Sequence, residues 1–259
     1  MLEVYTWEPN ANSGKPLLML KEKGADFAYH YVDMGKREHH GAAYLKLNPN
    51  GTVPTVIHDG LVLTESSPAL EYLDEVLDGP SLRPTDPYLR WRMRKWIQFM
   101  DFHYAPSLAM FGGAGASRMM PDRSPEDVKK EIEGIPMPER RRVWGLILAK
   151  QVPEAELAES NRRISAGIRQ FEEALTEYPY LAGPDYSLAD IVAMITAYGM
   201  PSMRPDEVND KTTPRFMDWF RRCHARPGLQ AAFALGHGWV VDRVKQTRKL
   251  LCIRDLDVA

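Results

Sequence analysis

Asp59-Gly60 stands between two short apolar runs, "TVIH" (Thr55 to His58) and "LVLT" (Leu61 to Thr64). A two-residue loop of this composition closes a β-hairpin, because both turn positions take residues that tolerate positive φ. An antiparallel strand pair is therefore expected around residue 60. Upstream, "LEVYTW" (Leu2 to Trp7) and "FAYHYVD" (Phe27 to Asp33) also read as strands, with a helix predicted between them from about Ser13 to Lys23. "REHHGAAYLKLNP" follows as an irregular helical stretch. Beyond the hairpin, "SSPALEYLDEVLD" carries Leu70, Leu73 and Leu77 at helical spacing. Pro68 lies in its first turn, where the missing N–H leaves no bond unmade. The first eighty residues thus read βαβ and then ββα.

"GPSLRPTDP" (Gly79 to Pro87) holds three prolines and reads as a linker between domains. After it the signals are almost entirely helical. One helix is predicted from about Tyr88 to Met110 and another from about Glu154 to Tyr178, the latter with Leu157, Ile164, Ile168, Phe171 and Leu175 on one stripe. Gly112 to Pro153 reads as an insertion whose "GGAGAS" is a flexible loop, since it follows a helix and lacks the lysine of a phosphate-binding loop. Ser187, three residues ahead of Asp190 in "YSLADIVAMITAYG", marks a capping box. The tail from Gly238 to Ala259 is amphipathic enough to dock back onto the body.

Thirty-three basic residues against 35 acidic leave a net charge of −2, which gives no argument for nucleic acid or a membrane surface as partner. No apolar run approaches the roughly 20 residues that span a bilayer. Cys223 and Cys252 are far apart, without a CxxC or histidine-rich pattern. That usage fits a reducing, cytoplasmic compartment and means that any thiol chemistry uses a thiol from elsewhere.

Three pairs of residues carry chemistry once the βαβ-ββα order is folded. Asn12-Ser13 lies at the start of the first helix, where free N–H groups and the helix dipole favour an anion. Taken alone, Ser13 reads first as a plain N-cap. Val53-Pro54 precedes a strand, and a cis bond there would turn the Val53 backbone outward to pair with an extended peptide. Glu65-Ser66 opens the next helix, offering a carboxylate to an ammonium and N–H donors to a carboxylate. Together these describe a site for a small zwitterionic peptide bearing a thiol.

"GTVPTVIHDGLVLTES" resembles the glutathione-binding core of glutathione transferases, and "SLADI" resembles the capping motif of their helical domain. More narrowly, "ANSGKPLLMLKEKG", "REHH", "TESS", "LRPTDP" and "IPMPE" resemble the bacterial glutathione-dependent β-aryl etherases, and the likeness extends over nearly the whole chain. It implies an α/β thioredoxin-like N-terminal domain (residues 1–80) and an all-α helical domain (residues 88–259). It also implies glutathione as co-substrate with no metal, an aromatic β-aryl ether as substrate, and pairing as a homodimer or with a paralogous subunit. By position, Ser13 with Asn12 would stabilise the glutathione thiolate. Val53 and Pro54 would hold the cysteinyl unit, Glu65 and Ser66 the γ-glutamyl end, and His40, less surely His39, the glycyl carboxylate. Metal ligation by His39-His40 is disfavoured, because adjacent helical side chains diverge. Trp7, Tyr104, Phe111, Met119, Met120 and Trp144 are candidates for the aromatic slot, although ordinary packing explains each of them. "RWRMRK" (Arg90 to Lys95) is either a solvated helix face or an intersubunit one. Competing readings are a glutathione transferase of another substrate class and a weakly active or structural subunit of a heterodimeric etherase.

Overall fold

The computed structural model describes residues 1–251, without the side chains of residues 239–241 and 243. In chain order the elements are β1 (Leu2–Thr6), α1 (Gly14–Lys23), β2 (Ala28–Tyr31), a 3-10 turn (Glu38–His40), α2 (Ala42–Leu47), β3 (Thr55–His58), β4 (Leu61–Leu63) and α3 (Ser66–Val76). Then come α4 (Pro87–Phe99), a π-helical turn (Met100–Tyr104), α5 (Ala105–Met119), α6 (Pro125–Glu133), α7 (Pro138–Leu148) and α8 (Glu154–Ala174). The last are α9 (Leu188–Ala197), α10 (Met200–Met203), α11 (Pro214–His224), α12 (Pro227–Phe233) and α13 (Trp239–Leu250). The chain divides into two compact units, residues 1–31, 53–100 and 168 onward forming the first and residues 32–52 and 101–167 the second.

The first unit carries a four-stranded sheet in the order β2-β1-β3-β4, with β1 parallel to β2 and antiparallel to β3. This is the α/β thioredoxin-like arrangement, and an all-helical region follows it. Asp59 (φ 50°) and Gly60 (φ 82°) are both left-handed, as the hairpin between β3 and β4 requires. Tyr5 pairs with Thr55, Thr6 with Tyr31, and Val56 with Leu63. The residues after β1, before β3 and after β4 are therefore delivered to one end of the sheet.

Leu17, Leu18, Met19 and Leu20 of α1 are fully buried, as are Leu188 to Met194 of α9, apart from the polar Asp190 among them, also buried. Four consecutive apolar residues cover every side of a helical turn, so these parts of α1 and α9 must be enclosed. Phe171, Phe216, Trp219 and Trp96 form an aromatic cluster with ring centroids 5.0–5.5 Å apart. The Ser187/Asp190 capping box forms, and its carboxylate does more than cap. It accepts the Ser187 N–H at 3.0 Å, the Leu181 N–H at 3.0 Å and the Trp219 indole N–H at 2.8 Å. Burial still pushes the Asp190 carboxyl above its ordinary range.

The proline-rich connector is pinned rather than loose. Asp74 of α3 accepts the Leu82 N–H at 3.0 Å and the Arg83 guanidinium at 2.8 Å, and Leu188 donates to the Leu82 carbonyl at 2.9 Å. The described part of the C-terminal tail packs α13 against α10 and α12. The rest of the tail, Cys252 included, lies outside the described residues.

Expectations for the second half of the chain are corrected in four places. The helix predicted to run from Tyr88 to Met110 gives way to a π turn at Met100, and "GGAGAS" is not a loop but the interior of α5. In the second unit a Cβ on Gly113 would lie 2.9 Å from Cδ1 of Ile147. Glycine is therefore spent on close helix packing between α5 and α7, a contact invisible to local composition. The segment between α5 and α8 likewise forms two helices, α6 and α7, and α8 ends at Ala174, short of Tyr178.

Candidate active site

Ser13 is 1% exposed and lies in the loop that links β1 to α1. The cap reading fails, because its backbone is already helical (φ −61°, ψ −25°) and its side chain caps nothing. The hydroxyl instead donates back to the Glu8 carbonyl at 2.8 Å, and the Ser13 carbonyl accepts the Thr6 hydroxyl at 2.7 Å. The Glu8 carbonyl also accepts the Ala11 N–H at 3.3 Å. It therefore keeps a partner when the Ser13 proton turns to another acceptor. Asn12 is exposed, and among the described residues the N–H groups of Asn12 and Ser13 have no acceptor. They stand at the positive end of α1, suited to an anion. Close approach builds this turn: a Cβ on Gly14 would sit 1.7 Å from the Pro9 carbonyl oxygen.

The register brings the other two pairs to the same end of the sheet. Val53-Pro54, whose peptide bond is cis, immediately precedes β3. Glu65 immediately precedes α3 with φ 61° and ψ 104°, a conformation that costs a non-glycine residue about 1–3 kcal/mol. Its side chain is exposed, and Ser66 beside it is half-buried. Ser67 was missed by sequence reasoning. It is buried, and its hydroxyl has no partner among the described residues, so a third polar group belongs to this helix start. The "SS" doublet was the available signal.

His40 belongs to the second unit and is described within it. The His39 and His40 rings are 3.9 Å apart, which corrects the expectation that adjacent side chains diverge; the pair stands at the end of a three-residue turn, not within the α-helix on which that expectation rested. Burial, then the charge of His40, pushes His39 down to about 4, and burial, then Arg140 and Arg37, lowers His40 as well. His39 is thus neutral near neutral pH, and the positive charge around the pair is supplied by arginine. Arg37 and Arg123 both pair with Glu131. Arg37 and Arg140 were missed as contributors; the basic flank in "GKREHH" was the clue for the first.

Of the aromatic-slot candidates, Trp7 is half-buried in the first unit, while the others lie in the second. There Tyr104 is buried, Phe111 and Trp144 are half-buried, and Met119 and Met120 are exposed. In "RWRMRK", Arg94 pairs with Glu71 at 2.8 Å and Arg92 with Glu177 at 2.6 Å, while Trp91 is half exposed.

Comparison with known proteins accounts for this arrangement. Residues 11–76 match the glutathione S-transferase N-terminal domain and residues 123–227 the C-terminal domain. The chain belongs to the glutathione S-transferase family. This transferase is 36% identical over 241 residues to protein LigF of Sphingobium sp. (strain NBRC 103272 / SYK-6), covering 90% of this chain and 93% of that one. The crystal structure of the β-etherase LigF from Sphingobium sp. strain SYK-6 superposes with a TM-score of 0.83 at 35% identity, over 90% of the transferase and 98% of that chain. A glutathione transferase homologue from Sulfitobacter, solved with bound glutathione, shares the fold at TM-score 0.65 and 22% identity, covering 89% of this chain and 96% of that one. Among the described residues no helix is long and apolar enough to cross a membrane.

Proposed function

We propose that this transferase cleaves the β-aryl ether bond of lignin-derived aromatic ketones with glutathione as co-substrate. The similarity to LigF over 90% of the chain carries this reading. The sulfur attacks the carbon bearing the aryl ether oxygen, the C–O bond breaks as the C–S bond forms, and a phenolate leaves and takes up a proton. A phenolate whose conjugate acid has a pKa near 10 leaves without a strong general acid, so positioning does most of the work. Ser13, with Asn12 and the N–H groups at the start of α1, holds the sulfur as thiolate. Val53 and Pro54 receive the cysteinyl unit, Glu65 and Ser66 the γ-glutamyl end, and His40 is assigned to the glycyl carboxylate on the family resemblance. We further propose the two-domain division at residues 80 to 88, a cytoplasmic location, and pairing with an identical or a paralogous subunit.

Incubation with glutathione and each enantiomer of a β-aryl ether ketone, with chiral chromatography of the thioether and assay of the phenol, tests the reading. Release of phenol with one thioether enantiomer is expected. No product from either enantiomer would reject the etherase assignment and favour another substrate class or a structural subunit.

Ser13→Ala is expected to lower turnover about tenfold near neutral pH and to move the pH–rate profile up by roughly one unit, the worth of one hydrogen bond to a thiolate. The direction follows from the sign: a donor to the charged form lowers the thiol pKa, so its loss raises it. A superimposable profile would exclude the hydroxyl from this role. Glu65→Ala is expected to weaken glutathione binding roughly tenfold through loss of a charge-assisted bond. Unchanged affinity by calorimetry would remove the γ-glutamyl assignment.

A further inference from the structure

Glu8 is a charged residue with only 3% of its surface exposed, in the same loop as Ser13 and outside every assignment made above. A buried carboxylate is costly unless its oxygens are hydrogen-bonded, and here both are. Oε1 accepts the Tyr31 hydroxyl at 2.8 Å, and Oε2 accepts the main-chain N–H of His237 at 2.9 Å. The two donors come from opposite ends of the sequence, one from β2 and one from the segment between α12 and α13. That segment is held to β2 a second time, where the Tyr29 hydroxyl donates to the Leu235 carbonyl at 3.2 Å. The Tyr31 and His237 rings also meet, with centroids 4.3 Å apart. Burial, with the Glu8 charge second, pushes the Tyr29 phenol up to about 12, so it remains a donor throughout the neutral range.

The main chain of the same residue governs Ser13. A serine hydroxyl carries one proton, and here that proton is aimed at the Glu8 carbonyl 2.8 Å away. The location of this carbonyl sets the resting direction of the hydroxyl and the path of the turn that presents the Asn12 and Ser13 N–H groups. We propose that Glu8 is the positioning residue of the site: its carboxylate, clamped by Tyr31 and by the His237 N–H, fixes the turn through which its carbonyl aims Ser13. The proposal rests on the glutathione reading given above. Its consequence is that the segment around residue 237 is mechanically part of the site although it lies more than 200 residues from Ser13 in sequence. A misplacement of about 1 Å in a positioned group is enough to change a rate substantially.

The test reads the ionisation of bound glutathione by thiolate absorbance, titrated from about pH 5 to 9, a range spanning the ordinary thiol value. Two variants keep the negative charge: Glu8→Asp, which is too short to reach both donors, and Tyr31→Phe, which removes one of them. Both are expected to raise the apparent thiol pKa by about one unit, with a matching shift in the pH profile of kcat/KM. In a Ser13→Ala background each should shift it less than in the unmodified protein, because only the Asn12 and Ser13 N–H groups are then left to be displaced. A merely structural role for Glu8 would lower thermal stability in both variants and leave the titration where it was, overturning the proposal. Additive shifts with Ser13→Ala would do the same. So would a lowered thiol pKa in Glu8→Gln together with an unshifted Glu8→Asp, which would make charge rather than position the cause. If Glu8→Asp does not fold, Tyr31→Phe carries the test. Absence of any bound thiolate in the unmodified protein would instead reject the glutathione reading. The Glu8–Ser13 coupling is then judged by urea unfolding of Glu8→Asp, Ser13→Ala and the double variant, where additivity overturns it.

Discussion

Asp74→Ala is expected to destabilise the protein by about 3–5 kcal/mol, the usual cost of leaving a buried charge without its partner. The Asp74 side chain is fully buried and that of Lys23 is 1% exposed, their charged atoms 3.1 Å apart. Lys23 also donates to the carbonyls of Asp74 at 3.3 Å and Pro80 at 3.2 Å. Removing the carboxylate strands this ammonium and releases Leu82 and Arg83, which hold the proline-rich connector in place. Burial alone would raise the Asp74 carboxyl, but bonds from Arg83, Leu82 and Lys23 outweigh it and hold the group below its ordinary range. A depressed carboxylate pKa contributes stability that is complete above the unfolded-state value of about 3.9 and is lost as pH falls through the folded value. Urea unfolding near neutral pH checks the prediction, and a loss below about 1 kcal/mol would contradict it. Replacing Lys23 and Asp74 together by apolar residues of similar size should cost less than Asp74→Ala, because Leu82 and Arg83 are still released but no buried ammonium is left unpaired.

The second large effect is expected from Gly14→Ala. Helix propensity alone predicts a gain of about 1 kcal/mol for this change. The added Cβ, however, would stand 1.7 Å from the Pro9 oxygen and 2.4 Å from the Pro9 carbonyl carbon, and no rotamer change relieves a clash between backbone groups. The turn from Glu8 to Ser13 must move, breaking the bonds from Thr6 to the Ser13 carbonyl and from Ser13 to the Glu8 carbonyl. We expect a loss of at least about 3 kcal/mol, the upper end of ordinary overpacking, together with loss of glutathione binding. Stability equal to or above that of the unmodified protein would show that the turn yields freely. Calorimetry with glutathione would then show whether the site survives such a movement.

Features governed by neighbouring residues were legible from the sequence. The hairpin at Asp59-Gly60 follows from two residues that tolerate positive φ, and both adopt it. The capping box at Ser187 and Asp190 follows from three-residue spacing, and it forms. The glycines of α5 misled for the same reason that these succeeded. Glycine is a local signal for a break, whereas Gly113 is used for approach to Ile147, over thirty residues away. His39 and His40 misled because the expectation assumed an α-helical position, whereas the pair ends a three-residue turn followed by extended backbone at Gly41.

By itself the sequence determined the βαβ-ββα order, the helical remainder and the family, since these rest on periodicity, turn chemistry and motifs read within short windows. The register of the sheet then delivered Ser13, Val53-Pro54 and Glu65-Ser66 to one end of it. Only the tertiary structure decided where the Ser13 proton points, that Glu8 is buried between Tyr31 and His237, and that Ser67 joins the start of α3. The direction of a hydroxyl and the burial of a carboxylate depend on acceptors and donors brought together by chain closure over long separations. No local pattern encodes those contacts.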